Sequence, residues 1–304
     1  MTPAEPRGAG RTHHVVAVLL LALTWWLAGC SDASSGDQPS KVEEPAAERP
    51  LSYVALGDSF TAAPLVPDTD LAEGCFRSSA NYPALLADEL GAELRDVSCS
   101  AAATEHIGAP QPMSFEQVDG PVPPQLRAVR PGTDLVTIGI GGNDENLFQT
   151  LVQGCTRTAE EQPSCEAVLQ ERYGDPGTVL EETGRRVAGV LGRVHRKAPE
   201  ATVVLVGYLR LASTEQGCDL FPLGDEDRSL VAELEASLND ALREAAADAG
   251  AEFLDMHARS EGHEICSDEP WVNGIRTDQS RALAFHPFAE GQEAVAGALL
   301  EQLT

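Results

Sequence analysis

Three short segments carry side chains suited to nucleophilic attack on a carbonyl. Gly57-Asp58-Ser59 closes the apolar run from Tyr53, Gly141-Gly142-Asn143-Asp144 closes a later one, and Phe285-His286-Pro287 stands near the end of the chain. A serine hydroxyl is a poor nucleophile at neutral pH, so it needs an adjacent base, and His286 is the best candidate. Pro287 stops the preceding segment and fixes the turn that presents the imidazole. The oxyanion formed by attack needs N–H donors: the Ser59 N–H, the Asn143 side-chain amide and one N–H from Asp96–Thr104. The other histidines are weaker candidates. His13 and His14 lie in the leader, His195 follows a helix end, and His106 and His257 have no motif around them. His263, beside Cys266, is the stronger competitor.

The elements that must position these groups alternate. Apolar runs at 51–56, 92–97, 134–140, 201–206 and 252–256 read as strands, with helical patterns between them. The clearest helix spans 225–249, where Leu230, Leu234, Leu238 and Leu242 recur every four residues and Gly250 follows as a stop. A last helix begins near Ala289. A parallel sheet of this kind places its binding crevice beyond the carboxyl ends of its strands, where Ser59 and Asn143 fall.

In this order, Gly57-Asp58-Ser59, Gly141-Gly-Asn143-Asp144 and His286-Pro287 resemble the blocks of the SGNH or GDSL-type hydrolases. The resemblance covers essentially all of 51–304. With six cysteines, His263-Glu-Ile-Cys266 and Trp271-Val-Asn-Gly274, the chain is similar to the three-disulfide secreted lipases and esterases of actinobacteria. That resemblance implies a three-layer α/β/α flavodoxin-like fold with a five-stranded parallel sheet, no metal or cofactor, and ester hydrolysis. It assigns Ala101 to the oxyanion hole, at a position where the family usually has glycine; an alanine serves there if the backbone needs no positive φ. The family's acidic partner stands three residues before the histidine, and here that position is Leu283. The expectation is therefore a Ser59–His286 dyad, with the backbone carbonyl of Leu283 orienting the imidazole. Asp255, Asp268 and Asp278 are weaker alternatives for a full triad. Removal or transfer of acyl groups on cell-envelope glycans would use the same residues, and a lipoprotein that only binds could keep the same fold.

The remaining features concern location. Arg7 and Arg11 precede the apolar run 15–27, which ends in Leu27-Ala28-Gly29-Cys30. This reads as a lipoprotein signal peptide over 1–29, with Cys30 lipidated as the mature N-terminus; the alternative is a single anchor helix. Residues 30–50 are rich in Ser, Pro, Glu and Ala and read as a flexible acidic tether, leaving 51–304 as one domain. The formal net charge is −27; Arg7, Arg11 and Glu5 together contribute +1, so their removal leaves −28. Such acidity argues against a nucleic-acid partner and leaves the Cys30 lipid as the route to a membrane. Six further cysteines in an exported chain predict three disulfides, and their order suggests 75 with 99, 155 with 165 and 218 with 266. The absence of any CxxC pair argues against zinc. Met113, Phe115, Phe221, Trp271 and Phe285 are loop side chains that could hold an acyl chain of a small-molecule or lipid ester. A monomer is expected, exported and either lipid-anchored to the outer face of the cell membrane or secreted.

Overall fold

The computed structural model describes residues 49–71, 73–113, 120–156 and 163–304. The signal segment, Cys30, most of the tether and Phe115 lie outside the described residues. In chain order the elements are β1 (Ser52–Gly57), α1 (Ser59–Ala62), α2 (Tyr82–Leu90), β2 (Glu93–Asp96), α3 (Thr104–Gly108), β3 (Leu135–Gly139), α4 (Leu147–Gln149), α5 (Cys165–Tyr173), α6 (Pro176–Lys197), β4 (Thr202–Val206), α7 (Asp225–Ala249), β5 (Glu252–Leu254), α8 (Met256–Arg259) and α9 (Ala289–Leu303).

The five strands form one parallel sheet in the order β2-β1-β3-β4-β5, the flavodoxin-like order that the motifs implied. β1 and β3 are its central pair: residues 53–57 of β1 and the whole of β3 are buried. Apolar side chains on both faces are the expected composition of a sheet covered by helices on both sides. Those helices are α6 and α7, packed on each other, and α2 and α9, packed on each other. α6 buries Leu180, Thr183, Gly184, Val187, Val190, Leu191 and Val194, an i, i+3, i+4, i+7 stripe. α7 occupies the expected span and buries Leu234, Leu238 and Leu242, with Gly250 in the left-handed conformation at its end. The sheet order reverses direction between β1 and β3, and the crevice opens at their carboxyl ends.

Three disulfides link Cys75 to Cys99, Cys155 to Cys165 and Cys218 to Cys266, in the expected sequential pairing. The first ties the loop after α1 to the segment following β2. The third ties the β4–α7 loop to the long irregular segment that ends in His286.

Candidate active site

The candidate nucleophile, Ser59, stands where β1 turns into α1. The side chain of Gln125 brackets Gly57, donating to its carbonyl and accepting from its N–H, each at 2.8 Å. A Cβ on Gly57 would lie 2.2 Å from Thr61 Oγ1, so this corner admits only glycine. Asp58 caps α1 by accepting from the Phe60 N–H at 2.9 Å. Ser59 is the first helical residue, 8% exposed, and its N–H has no acceptor within the helix. The second Asp58 oxygen accepts from the Tyr208 hydroxyl, which in turn accepts from the Gly142 N–H at 2.8 Å. Burial pushes the Asp58 carboxyl up to about 7, against the lowering effect of the Tyr208 and Phe60 bonds. One buried chain therefore joins the serine turn to the glycine turn after β3.

The oxyanion wall is built from the segments after β2 and β3. Asn143 donates from Nδ2 to the Ala102 carbonyl at 3.0 Å, which fixes the amide and leaves its second hydrogen for a ligand. Beside it, Asp144 accepts from the Thr104 N–H at 2.8 Å and hydroxyl at 2.7 Å, locking the two segments together. Burial pushes the Asp144 carboxyl up, opposed by those bonds and by Arg186. Ala101 lies next to this lock with φ at 63°, and among the described residues its N–H has no acceptor. The condition that an alanine serves only where no positive φ is needed is thus corrected: Ala101 leaves its N–H free in a left-handed backbone. The left-handed conformation is present, and the Cβ makes it unfavourable by about 1–2 kcal/mol.

The histidine is presented by an irregular segment. Asn273 organises it, donating from Nδ2 to the carbonyls of Arg276 and Ala282 at 2.9 Å and of Leu283 at 3.2 Å. The Asn273 N–H donates to the His286 carbonyl at 2.9 Å, and Phe285 adopts a φ of 59°. The expected orienting carbonyl, Leu283, is corrected by this geometry: His286 Nδ1 sits 2.7 Å from the Ala284 carbonyl. Leu283 is unavailable because its carbonyl already accepts from Asn273 and from the His286 N–H, at 3.2 Å. With Nδ1–H donated to Ala284, Nε2 carries the lone pair a base requires. The rings of Phe60 and Phe148 pack at 5.7 and 6.5 Å from the imidazole. Desolvation pushes its pKa down to about 4, against the raising effect of the Ala284 bond.

Ser59, Ala101, Asn143 and His286 line one open cavity of about 1740 Å³. No hydrogen bond joins Ser59 Oγ to His286 among the described residues; such bonds are often long without substrate and tighten in the complex. None of the alternative carboxylates lines this cavity. Asp255 pairs with Arg243 at 2.7 Å, Asp278 accepts from Ser280, and Asp268 is exposed. His263 stacks on Trp271 at 3.9 Å and bonds the Glu269 carbonyl, so it braces the loop. Of the described loop side chains proposed to hold an acyl group, Phe285 alone lines the cavity. Phe221 packs behind it, and Met113 and Trp271 stand elsewhere. The apolar wall comes instead from Leu65, Leu71, Phe76, Phe148, Ile275 and Leu283. Sequence reasoning passed over Gln125, Tyr208 and Asn273, each a lone polar residue whose role depends on distant backbone.

Known proteins match this arrangement. The model of the GDSL-like lipase/acylhydrolase family matches residues 55–294. Lipase 2 of Streptomyces coelicolor is 34% identical over 294 residues, which cover 94% of this chain and 93% of the relative. Two crystal structures, of an extracellular lipase from Streptomyces rimosus and of phospholipase A1 from Streptomyces albidoflavus, superpose with a TM-score of 0.69. Each covers 83% of this chain and 99% of its own, at 28% and 27% identity. The chain belongs to the GDSL-like lipase/acylhydrolase family. It is a carboxylic ester hydrolase.

Proposed function

We propose that the chain is an exported lipase or esterase that cleaves acyl esters through a Ser59–His286 dyad. The observation that carries this reading is the contact of His286 Nδ1 with the neutral Ala284 carbonyl, which leaves Nε2 as the base, in a residue that lines the same cavity as Ser59. As Oγ bonds the ester carbon, Nε2 takes the hydroxyl proton. The carbonyl π electrons pass to oxygen, where the N–H groups of Ser59 and Ala101 and the Asn143 amide receive the charge. Collapse breaks the bond to the alcohol, which leaves with the proton from Nε2. Water then repeats the sequence on the acyl-serine and releases the acid.

The apolar wall supports a fatty acyl group over acetylated glycans, in keeping with relatives named as a lipase and a phospholipase A1. An extracellular relative and three disulfides support export, and the Leu27-Ala28-Gly29-Cys30 sequence supports lipid attachment at Cys30. The test is hydrolysis of acyl esters of increasing length and of acetylated sugars, by the protein and by Ser59→Ala. We expect turnover on acyl esters that falls by about 10⁴-fold or more in the variant. Equal activity in both proteins would remove Ser59 as nucleophile.

A further inference from the structure

α6 presents Arg186, Gly189 and Arg193 to the cavity at i, i+3 and i+7, beside the segment that runs into α3. Arg186 is occupied: it bonds Glu182 at 2.9 Å and Glu145 at 3.0 Å, with Asp144 at 3.6 Å. Arg193 is different. Its guanidinium packs against Gly108 at the end of α3, 3.6 Å from where a Cβ of that glycine would stand. Its Nε is buried without a partner, and its other nitrogens make no hydrogen bond or ion pair among the described residues. Every other described arginine is either paired or exposed. With 48 acidic residues available in the chain, a half-buried guanidinium left without a carboxylate is an exception. The Nη groups, which are not enclosed as Nε is, are the donors a ligand in the cavity can reach. Glu105, the nearby acid on the same wall, has a side chain that is 75% exposed and therefore solvated.

We infer that Arg193 is a specificity residue that binds an anionic phosphodiester carried on the alcohol side of the ester substrate. This rests on the ester hydrolase reading above. The two Nη groups form a planar fork that matches two phosphodiester oxygens, and a half-buried site strengthens such charge-assisted bonds. The acyl chain lies along Leu65, Leu71, Phe76 and Leu283, and the phosphodiester lies against α6. The cavity thus offers apolar side chains and one unpaired guanidinium to the two ends of a phospholipid-like ester.

The test compares dihexanoyl phosphatidylcholine, kept below its micelle concentration, with dihexanoylglycerol. The proteins are the full chain, Arg193→Gln and Arg193→Lys, with thermal melting as the check on folding. We expect Arg193→Gln to lower kcat/KM on the phosphodiester by about ten- to a hundredfold, chiefly through KM, and to leave the neutral ester unchanged. Arg193→Lys should recover part of the loss, because it restores charge without the fork. Equal loss on both substrates, or no loss on the phosphodiester, overturns the inference alone and leaves the hydrolase standing. Failure of the full chain to cleave either ester overturns both readings.

Discussion

The two halves of the proposed catalytic pair are held in place by different means. Ser59 sits on the rigid end of a central strand, where Gln125, Tyr208 and the Asp58 cap fix the turn through buried side-chain bonds. His286 sits in a segment without regular structure, fixed by one asparagine amide, the Cys218–Cys266 bridge and backbone carbonyls. Placement by sheet and motif is redundant, because several elements would have to yield before the serine moved. Placement of the histidine depends on a few bonds radiating from Asn273.

That contrast predicts that the histidine half is the easier to break. Asn273→Ala removes an amide whose two N–H groups are shared among three carbonyls, and leaves Ala282 and Leu283 with one backbone donor each in the turn. We expect a loss of about 2–4 kcal/mol in stability, and a fall in kcat of about a hundredfold from misplacement of the imidazole. Gln125→Ala, on the serine side, removes a comparable pair of bonds and should cost less activity than stability. Urea unfolding together with kcat for both variants measures the difference; a larger kcat loss for Gln125→Ala would reverse the contrast.

A smaller effect sharpens the comparison at the oxyanion wall. Ala101 holds a φ of 63° that glycine adopts freely. Ala101→Gly relieves steric strain while adding chain entropy to the unfolded state, so a net gain of about 0.5–1 kcal/mol is expected, with activity retained. Loss of stability on thermal melting would show that the alanine is not strained there.

The same contrast governs what could be read in the sequence. β1, β3, β4 and α7 stood out because buried parallel strands and an amphipathic helix impose patterns on many residues at once. Ser59 and Asn143 were legible because they follow such strands directly. The histidine was found by its motif, but the carbonyl that orients it was placed one residue early. Whether Leu283 or Ala284 faces the ring depends on the left-handed turn at Phe285 and on Asn273 claiming the Leu283 oxygen. Neither leaves a periodic trace. Tyr208 and Gln125 were missed because each bonds to backbone or carboxylate that is distant in sequence. Phe221 and Trp271 fell outside the cavity lining while Phe285 lines it, because loop composition does not say which way a loop faces.

The central claim is that a neutral carbonyl, and no carboxylate, orients His286. Desolvation by Phe60 and Phe148 places its folded pKa near 4, below the ordinary 6.5. The folded state therefore binds fewer protons than the unfolded chain between these values. The stability from this group is present above pH 6.5 and is lost as pH falls through about 4. Activity follows the same group, since only neutral Nε2 can accept the serine proton. A carboxylate partner would instead stabilise the imidazolium and raise the pKa. Asp58, pushed up to about 7, titrates elsewhere in the site, so the profile of Asp58→Asn identifies its contribution. The most direct measurement is kcat/KM against pH for the protein and for Asp58→Asn, with circular dichroism confirming the fold at each point. The account predicts an acid limb near 4 in the variant, with a plateau through neutrality. A limb near 7 that persists in Asp58→Asn would contradict it, because the imidazole would then titrate at or above its ordinary value.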